Sequence, residues 1–372
     1  MDIILLGATG SIGTMSLELI KAYNYNLIGV SLGSDIDKSI KIVEEFKPKY
    51  ICVRKDDDKA FFEKFKCITF TAEKGLEELA SIKCDILINA LSGSAGLKPL
   101  VSAINAKNDV ALANKESIVM AGDIIMKLAK KNNVNIYPVD SEHSAIWQCL
   151  KGEDINTINN IYITASGGAF RDKKRSELEN VSVSEALNHP NWSMGKKITI
   201  DSATMMNKGF EVIEAHHLFN IPYNKIKPIM HKESLIHALV EYNDSNIKAI
   251  IAPHDMKEAI LYAINRGNRI EYNNKLKLTT LHFKNISFKR FPLLKYAIYA
   301  GRKGGIMPTV LISSNDAAVN LFLNGKIKFL EIEEIVINEL NKTINFKPTL
   351  DDIIRVDKEI KERIIGGRLW QL

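Results

Sequence analysis

The sequence predicts an α/β protein of three parts: an N-terminal doubly wound parallel sheet, a central α+β domain and a C-terminal helical bundle. Three observations support this fold class. Short apolar segments alternate with amphipathic ones over residues 1–140, strand-like segments are mixed with polar loops over 141–270, and helical periodicity prevails from residue 291 onward. Apolar strands that alternate with helices are typical of a parallel sheet with both faces covered.

The strands of the first part are short and rich in β-branched residues. They are predicted at residues 3–6, 27–32, 50–53, 86–89, 110–113 and 134–139. Helices are predicted between them, among others at residues 16–23, 36–46 and 117–131. In a doubly wound (Rossmann-like) sheet, ligands bind at the carboxyl ends of the strands.

The central part mixes both kinds of structure. Strands are predicted at residues 161–166, 197–200 and 247–252. One strong helix is predicted at about 202–219, with Asp201 or Ser202 as its N-cap. Residues 271–290 are polar and basic without clear periodicity, which indicates a linker.

The last part, residues 291–372, is predicted to be helical. Pro308, Gly325 and the capping pair Thr349-x-x-Asp352 punctuate it. Apolar residues recur at helical spacing, at Ile332, Ile335, Val336 and Leu340. This pattern favours a small helical bundle.

Composition excludes several classes of protein. The chain has 372 residues, 46% of them hydrophobic, and a formal net charge of +6, with lysines and acids interspersed. No basic block suggests a nucleic-acid arm. Four widely spaced cysteines indicate free thiols in a reducing compartment. No segment resembles a signal peptide or approaches the ~20 apolar residues of a membrane span, so we expect a cytoplasmic protein without a membrane or nucleic-acid partner.

A glycine-rich turn, Gly7-Ala8-Thr9-Gly10-Ser11-Ile12-Gly13, directly follows the first predicted strand. Such a turn between strand and helix lets backbone N–H groups and the positive helix end face the pyrophosphate of a dinucleotide. The spacing is G-x-x-G-x-x-G and differs from the standard fingerprint. A structural turn in another α/β fold is the alternative.

Two carboxylates, in Asp140-Ser141-Glu142, follow the last strand of the first part. If the extended conformation continues, Asp140 and Glu142 point to the same side. Such a pair suits a hard divalent cation, Mg²⁺ or Mn²⁺. The alternative is a solvated acidic turn that caps a helix beginning near Ser144.

The segment from Asp201 to Glu211 carries an amide, a lysine and a carboxylate on one helix face, at Asn207, Lys208 and Glu211. Near a helix N-terminus these groups form a plausible phosphate site, and Glu211 could add a third carboxylate to the metal. The alternative is an ordinary surface pair of Lys208 with Glu211.

A loop of unusual composition, His189-Pro190-Asn191-Trp192-Ser193-Met194-Gly195, is predicted in the central part. Trp192 and Met194 could belong to a lid that excludes water, with Gly195 as a hinge. Anchoring of the loop to its domain explains them equally well. His189 could donate to an anion or be structural.

Two further strand ends carry candidate groups. Lys115, in Leu112-Ala113-Asn114-Lys115-Glu116-Ser117, could hold a substrate hydroxyl or neutralise an oxyanion, although Glu116 and Ser117 also suit an ordinary helix start. Ser166-Gly167-Gly168 permits a close backbone approach to a ligand, and a simple turn explains it as well.

The residues of these motifs and their order along the chain resemble one family, the 1-deoxy-D-xylulose 5-phosphate reductoisomerases. The resemblance extends over almost the whole chain, and its two longest motifs, residues 189–195 and 201–211, are very specific. It implies the NADPH- and divalent-metal-dependent rearrangement and reduction of 1-deoxy-D-xylulose 5-phosphate to 2-C-methyl-D-erythritol 4-phosphate. It also implies an NADPH domain (1–140), a catalytic domain (141–270) with a flap (189–195), a linker (271–290), a helical domain (291–372) and a homodimer.

The resemblance also implies roles for individual residues. The metal ligands would be Asp140, Glu142 and Glu211, which with Lys115 form the catalytic set. Substrate would contact Lys115, Ser141, Glu142, Ser166, His189, Ser202, Asn207, Lys208 and Glu211. NADPH would contact Thr9, Gly10, Ser11, Ile12, Gly33, Ser34, Asp35, Asn114, Glu116 and Gly195, and Trp192 and Met194 would belong to the flap.

One turn departs from the family pattern. Members usually carry a Gly-Lys-Asn type turn that reads the 2′-phosphate of NADPH, and this chain has Gly33-Ser34-Asp35. An acid at this edge generally favours a free ribose hydroxyl. Arg54 and Lys55, after the next strand, could supply the missing positive charge. We predict NADPH, and catalytic efficiency with NADH that equals or exceeds that with NADPH would contradict this.

Two other functions compete with this prediction. An NAD(P)-dependent semialdehyde or amino-acid-pathway dehydrogenase without isomerisation shares the glycine turn but needs neither three carboxylates nor a phosphate helix. A non-catalytic nucleotide sensor would use only the first domain. Activity that survives a chelator would favour the dehydrogenase, and absence of turnover with metal, NADPH and substrate would favour the sensor.

Overall fold

A computed structural model describes residues 1–192 and 194–369. Ser193 of the predicted flap and residues 370–372 of the predicted helical domain lie outside the described residues. The chain forms two compact units. The first unit comprises Met1–Ser117, Asp123–Ser144 and Asp255–Asn273, and the second comprises Ile118–Gly122, Ala145–His254 and the chain from Asn274 onward.

Strands and helices alternate along the first unit and mix along the second. The strands are β1 (Asp2–Leu6), β2 (Asn26–Ser31), β3 (Tyr50–Val53), β4 (Ile68–Thr71), β5 (Ile86–Asn89), β6 (Asp109–Leu112), β7 (Ile136–Pro138), β8 (Ile158–Ala165), β9 (Ile226–Met230), β10 (Ile236–Tyr242), β11 (Ile247–Ile251) and β12 (Lys284–Asn285). The helices are α1 (Ser11–Ala22), α2 (Ile36–Phe46), α3 (Ala72–Ala80), α4 (Leu97–Asn105), α5 (Lys115–Asn132), α6 (Ser141–Leu150), α7 (Val183–Leu187), α8 (Lys196–Ala203), α9 (Met206–Phe219), α10 (Met256–Ile264), α11 (Pro292–Lys303), α12 (Met307–Leu323), α13 (Glu331–Lys342) and α14 (Leu350–Leu369).

The first unit is built on a seven-stranded parallel sheet of order β4-β3-β2-β1-β5-β6-β7. Residues 3–6 of β1 are fully buried, as expected for a central strand covered on both faces. The strand order reverses between β1 and β5, because β1 pairs with β2 on one side and with β5 on the other. The carboxyl ends of β1 and β5 therefore mark the switch point, where this class of sheet binds ligands.

The second unit holds a five-stranded mixed sheet of order β11-β10-β8-β9-β12. Only β8 and β9 run parallel, and the other pairs are antiparallel. Helix α9 packs on this sheet through Val212 and Ala215, which join a core with Ile161 and Ile163. In the C-terminal bundle, α12 packs against α8, α11, α13 and α14, and most of its residues are buried.

The predicted fold class is confirmed, and several elements match closely. The bounds of β3, β5 and α2 are the predicted ones, and the other predicted strands of the first unit shift by one or two residues. The C-terminal region is helical through α14, and Thr349 and Asp352 exchange the hydrogen bonds of a capping box. Pro308 lies in the first turn of α12, where a proline is tolerated because the N–H has no helical partner.

The prediction for residues 197–200 is wrong: this segment lies in helix α8 and forms no strand. Its alternating polar and apolar residues resemble a strand pattern. Three local contacts stabilise the helix, however: Lys197 pairs with Asp201 one turn later, Thr199 donates to the carbonyl of Gly195, and the Thr204 N–H bonds the carbonyl of Ile200. Helical spacing buries Thr199, Ile200 and Asp201 together.

The predicted N-cap of the strong central helix is also wrong. Asp201 and Ser202 lie within α8, and α9 begins at Met206 with Met205 as its N-cap at φ +64°. The chain thus breaks between two helices where one continuous helix was predicted. Residues 207, 208 and 211 nevertheless lie on α9, so their shared face is unaffected.

Several elements were missed because their sequence signal is weak. Residues 68–71 of β4 lie at the sheet edge and are mostly half-buried, so they show no continuous apolar run. Within the predicted linker 271–290 the chain forms the short strand β12. Residues 255–273 contribute helix α10 to the first unit. Among the described residues, no helix is long and apolar enough to cross a bilayer.

Candidate active site

The glycine turn after β1 admits only glycine at two positions. Gly7 has φ +85°, and a Cβ there would lie 2.5 Å from the carbonyl oxygen of Ala90, after β5. A Cβ on Gly13 would lie 2.1 Å from the carbonyl oxygen of Gly7. The two glycines therefore bring the start of α1 against the switch point. Gly10 is the N-cap and has no side chain to cover the helix end, so the first amides of α1 face outward at an exposed turn.

The predicted cofactor residues of this turn lie where a dinucleotide pyrophosphate could approach. Gly10 and Ser11 are exposed, and Thr9 and Ile12 are half-buried. The turn after β2 lies beside them, because a Cβ on Gly33 would come within 2.1 Å of the Thr9 hydroxyl oxygen. The two turns form one edge of the sheet and fit the adenosine half of a dinucleotide.

The side chain of Asp35 caps helix α2. Its carboxylate accepts a hydrogen bond from the backbone N–H of Lys38 at 3.0 Å, as an N-cap residue does. The ammonium of Lys38 then turns back and donates to the Thr9 carbonyl and the Thr14 hydroxyl, at 2.8 Å each. Lys38 was not singled out from the sequence, and only the folded turn reveals its position.

Asn114 is a scaffold for the neighbouring turn. Its side-chain amide donates to the carbonyls of Leu91 and Gly93 at 2.9 and 2.8 Å, and its oxygen accepts from the N–H of Ser117 at 3.3 Å. The side chain is buried and caps helix α5. It therefore fixes the loop after β5 and holds Glu116, which accepts from its amide at 3.2 Å.

Lys115 and Asp140 form a buried ion pair in the first unit. Lys115 is the first residue of α5, and its ammonium contacts the carboxylate of Asp140, which follows β7. The two side chains are 9% and 11% exposed. Burial raises the pKa of Asp140, but the charge of Lys115 and the nearby His143 ring, whose Nδ1 lies 3.8 Å from the carboxylate, outweigh it and hold that pKa well below its usual range. Asp140 is therefore an anion at neutral pH.

The expected extended conformation through residues 140–142 is wrong. Helix α6 begins at Ser141, three residues earlier than the alternative assumed, and Asp140 acts as its cap: the carbonyl accepts from the N–H of Ser144 at 2.8 Å and the carboxylate from that of Glu142 at 3.4 Å. Ser141 donates to the Glu142 carboxylate at 2.6 Å. The two acids are thus gathered by a helix N-terminus, which stabilises negative charge.

Lys208 and Glu211 form a second buried ion pair, in the second unit. They lie one turn apart on α9 and are only 4% and 1% exposed. Asn207 donates its side-chain amide to the same carboxylate at 2.5 Å. The alternative of an ordinary surface pair is therefore wrong. A buried charge pair is costly to maintain and is a good marker of a functional site.

Ser202 lies at the end of α8, against the glycine turn that follows β8. A Cβ on Gly168, which has φ +67°, would lie 2.6 Å from the carbonyl oxygen of Ser202. The turn Ser166-Gly167-Gly168 therefore lets two segments of backbone meet. The sequence predicts either a close ligand approach or a simple turn here, and in the structure the turn packs against the backbone of α8.

His189 and Ser166 are joined by a hydrogen bond of 3.0 Å between the His189 Nε2 and the serine hydroxyl. The Nδ1 atom accepts from the backbone N–H groups of Asn191 and Trp192 at 3.1 and 3.0 Å. The ring proton therefore resides on Nε2 and is donated to Ser166. Burial, with the nearby charges of Arg171 and His254, lowers the pKa of His189 to about 4, so the ring is neutral at pH 7. The Ser166 hydroxyl keeps its own proton to donate to a ligand.

Arg171 holds two loops of this site together, and the sequence did not predict this role. Its guanidinium donates to the carbonyls of Ser166 and Lys232 at 3.2 and 3.1 Å and to the side chain of Asn191 at 3.2 Å. It thus joins the end of β8 to the loop that begins at His189. An arginine between two polar loops gives no sequence signal, because the backbone acceptors that it bonds are invisible in the sequence.

The loop of residues 189–195 is anchored at Trp192 in this structure. The indole packs edge-on against the ring of His254, with centroids 5.3 Å apart, and near the ring of His237 at 6.2 Å. Met194 is half-buried, and Gly195 is the exposed N-cap of α8. Trp192 therefore has aromatic packing partners, and Gly195 is tied to α8 through its carbonyl, which accepts from the N–H and the hydroxyl of Thr199.

Three family models match the chain. The model of 1-deoxy-D-xylulose 5-phosphate reductoisomerase matches residues 3–122, its C-terminal domain model matches residues 136–219, and the DXP reductoisomerase C-terminal domain model matches residues 251–363. Curated relatives agree. The chain is 48% identical over 373 residues to the 1-deoxy-D-xylulose 5-phosphate reductoisomerase of Bacillus subtilis strain 168, covering 97% of each chain. It is 47% identical to that of Macrococcus caseolyticus, covering 96% of this chain and 98% of the relative.

Solved structures show the same similarity. The reductoisomerase of Zymomonas mobilis in complex with NADPH superposes with a TM-score of 0.90 at 34% identity, covering 99% of this chain and 98% of the other. A DOX-P reductoisomerase in complex with NADPH, fosmidomycin and magnesium superposes with a TM-score of 0.93 at 36% identity, with the same coverage.

Proposed function

Because the chain belongs to the 1-deoxy-D-xylulose 5-phosphate reductoisomerase family, we propose that its two buried lysine–carboxylate pairs mark the reaction site. The chain is an NADPH-dependent oxidoreductase that converts 1-deoxy-D-xylulose 5-phosphate to 2-C-methyl-D-erythritol 4-phosphate for isoprenoid synthesis, with NADPH and Mg²⁺ as cofactors. The observation that carries the residue assignment is the burial of the pairs Lys115–Asp140 and Lys208–Glu211. Buried charges of this kind are kept where chemistry needs them.

The metal ligands are Asp140, Glu142 and Glu211 in this proposal. Three carboxylates suit a hard divalent cation, and the low pKa of Asp140 keeps that ligand deprotonated. Bound there, the cation acts as a Lewis acid that polarises the substrate oxygens. Asp140 and Glu142 lie at the N-terminus of α6, where the helix dipole stabilises negative charge.

The phosphate subsite consists of Ser166, His189, Ser202, Asn207 and Lys208. The neutral His189 fixes the Ser166 hydroxyl as a donor directed away from the ring. Lys208 supplies a buried positive charge, and Gly168 brings the end of α8 close to the Ser166 turn. Binding energy from a phosphate in this subsite can then be used to orient the reacting carbons.

At the reacting end, Lys115 and Ser141 contact substrate hydroxyl and carbonyl groups. The ammonium of Lys115 is buried beside Asp140, so it offers a fixed positive charge to a developing oxyanion. Ser141 is held by its bond to Glu142. Trp192 and Met194 close over the substrate as a flap, which protects the rearranged aldehyde from water.

NADPH, when bound, supplies the hydride that reduces that aldehyde. The backbone of Thr9, Gly10, Ser11 and Ile12 receives its pyrophosphate, and the fit is supported by the glycine cradle in which a Cβ at Gly13 would overlap the chain. The remaining cofactor contacts are proposed at Gly33, Ser34, Asp35, Asn114, Glu116 and Gly195.

The roles of the domains and the assembly of the protein are also proposed from the family resemblance. Residues 1–140 bind NADPH and add Lys115 and Asp140 to the site, residues 141–270 carry the other metal and substrate contacts, 271–290 connect, and 291–372 are the helical domain. The family resemblance supports a cytoplasmic homodimer. Light scattering after gel filtration tests the dimer, and a monomer at micromolar concentration would contradict it.

The decisive experiment follows NADPH oxidation at 340 nm with 1-deoxy-D-xylulose 5-phosphate. Turnover should require a divalent ion, disappear with a chelator and return with Mg²⁺. Activity that survives complete chelation would contradict the role of the three carboxylates. Product analysis by mass spectrometry and NMR distinguishes the branched polyol from simple carbonyl reduction.

A further inference from the structure

The chain has no basic residue in the turn where a 2′-phosphate is usually read. That turn is Gly33-Ser34-Asp35, and the extra phosphate of NADPH needs a cation at this edge of the sheet. Other residues of this chain must therefore supply the positive charge that the 2′-phosphate needs. This inference rests on the proposed NADPH contacts. The residues that follow the turn in α2 and in the neighbouring strand supply two candidates.

The carboxylate of Asp35 is already engaged. It accepts from the N–H of Lys38 at 3.0 Å as the N-cap of α2, and its carbonyl accepts from the Ser39 hydroxyl at 2.7 Å. Its charge is therefore directed at the amides of its own helix. This arrangement leaves the exposed Ser34 at the tip of the turn, where its hydroxyl is a neutral donor.

Lys38 places a positive charge where the two turns meet. Its ammonium donates to the Thr9 carbonyl and the Thr14 hydroxyl, both neutral oxygens, at 2.8 Å each. Thr9 in turn contacts Gly33 through its hydroxyl. Among residues 1–192 and 194–369, no carboxylate forms an ion pair with Lys38. An ammonium has three N–H donors, so one remains for a ligand.

Arg54 lies at the same edge from the other side. Strand β3 pairs with β2, and Ser31 lies opposite Cys52 while the N–H of Leu32 bonds the carbonyl of Cys52, so the register sets residue 54 level with residue 33 of the turn. Arg54 is exposed and forms no ion pair within the part of the chain that the structure describes. The neighbouring Lys55 differs, because it pairs with Asp57 at 3.5 Å.

We propose that Lys38 and Arg54 bind the 2′-phosphate of NADPH, with Ser34 as a neutral hydrogen-bond donor. The positive charge then comes from α2 and from the residue after β3, and the turn itself supplies none. A phosphate held between an ammonium and a guanidinium forms charge-assisted hydrogen bonds, which are the strong kind. The acids nearby do not cancel these charges: Asp35 caps its helix, and Asp56 pairs with Lys59.

Direct binding of NADPH and NADH tests this proposal by isothermal titration calorimetry on the full chain. Lys38→Met should raise the Kd for NADPH about tenfold and leave that for NADH within about twofold, as expected for one lost charge-assisted bond. Arg54→Met should act in the same direction, and Lys38→Arg should keep most of the selectivity. Lys41→Met is the matched control, because Lys41 is an exposed lysine on the same helix.

The outcomes separate three cases. If wild type prefers NADPH and the Lys38 and Arg54 variants lose that preference, the proposal holds. If both variants keep the wild-type ratio, or weaken both cofactors equally, the two residues are structural and the proposal is wrong. If wild type binds NADH as well as NADPH, the 2′-phosphate is not read at all, and the NADPH assignment itself fails. Should Lys38→Met not fold, Arg54→Met and Lys38→Arg still decide.

Discussion

Removing one member of the buried pair Lys208–Glu211 should destabilise the fold far more than removing both. The two side chains are 4% and 1% exposed, so Lys208→Met leaves a carboxylate buried without its ammonium. Such a loss costs about 3–5 kcal/mol, whereas replacing both charges by uncharged groups of similar size is close to neutral. We therefore expect a drop of about 3 kcal/mol in the free energy of unfolding for Lys208→Met, and within about 1 kcal/mol for Lys208→Met/Glu211→Gln.

Urea denaturation followed by circular dichroism measures these differences, with the exposed pair Lys358–Glu362 as control. Its side chains are 75% and 67% exposed, so Lys358→Met should change the free energy of unfolding by less than about 0.5 kcal/mol. Two results would refute this argument: a Lys208→Met variant as stable as wild type, or a double variant no more stable than the single one. Either would show that the buried carboxylate does not depend on its ammonium partner.

Magnesium extends the same experiment to the metal site. If Glu211 is a ligand, a bound cation replaces the missing ammonium, and Mg²⁺ at about 100 times its Kd should stabilise Lys208→Met by about 2.7 kcal/mol. Variants with Glu211→Gln should gain much less. Equal stabilisation of wild type and Glu211→Gln by Mg²⁺ would remove Glu211 from the ligand set, without any measurement of turnover.

Four substitutions test separate parts of the structure. Glu211→Gln should nearly abolish NADPH oxidation while calorimetry shows unchanged NADPH binding; near-wild-type turnover would reject the metal role. The pKa of His189, about 4, lies below its unfolded value of 6.5, so its contribution to stability is present above pH 6.5 and lost as the pH falls towards 4. His189→Asn should flatten this part of the stability profile, and an unchanged slope would contradict the neutral ring. Gly13→Ala should abolish NADPH binding, because the new Cβ would meet backbone at 2.1 Å, whereas Gly366→Ala, with open space around it, should stabilise α14 by up to about 1 kcal/mol.

The parts of the fold that the sequence predicted are those with strong local signals. Strand β1 is an unbroken apolar run that is buried on both faces, and the glycine turn after it needs φ values and contacts that only glycine allows. Helix α2 has an N-cap aspartate and a clear amphipathic pattern, so its bounds were predicted to the residue. In these places the residue types and the tertiary environment agree.

The sequence misled where local and tertiary signals disagree. Residues 197–200 alternate like a strand, but their polar members find partners one helical turn away or in distant helices, such as Lys197 with Asp201 and Asp316. Asp140 and Glu142 were placed together by strand alternation, and the structure achieves this by a helix N-terminus instead. The residue types of the candidate site were predictable from the sequence. Lys38 and Arg171, which hold its turns together, were not, because they donate to backbone carbonyl oxygens that no sequence pattern shows.

The charged residues around α8 link the C-terminal helices to the residues proposed to bind phosphate, which lie in the same compact unit. Asp201, next to Ser202, accepts from Asn315 of α12 at 2.7 Å and pairs with Lys197 at 2.9 Å. Lys197 also pairs with Asp316 at 3.0 Å, and Lys361 of α14 joins that carboxylate at 3.2 Å. A buried charge that loses its partner is strongly destabilising. Each residue of this ion-pair network therefore holds its neighbour in place. Helix α8, which carries the proposed phosphate ligand Ser202, is thus fixed by residues more than a hundred positions later, and the helical bundle therefore supports the proposed phosphate subsite.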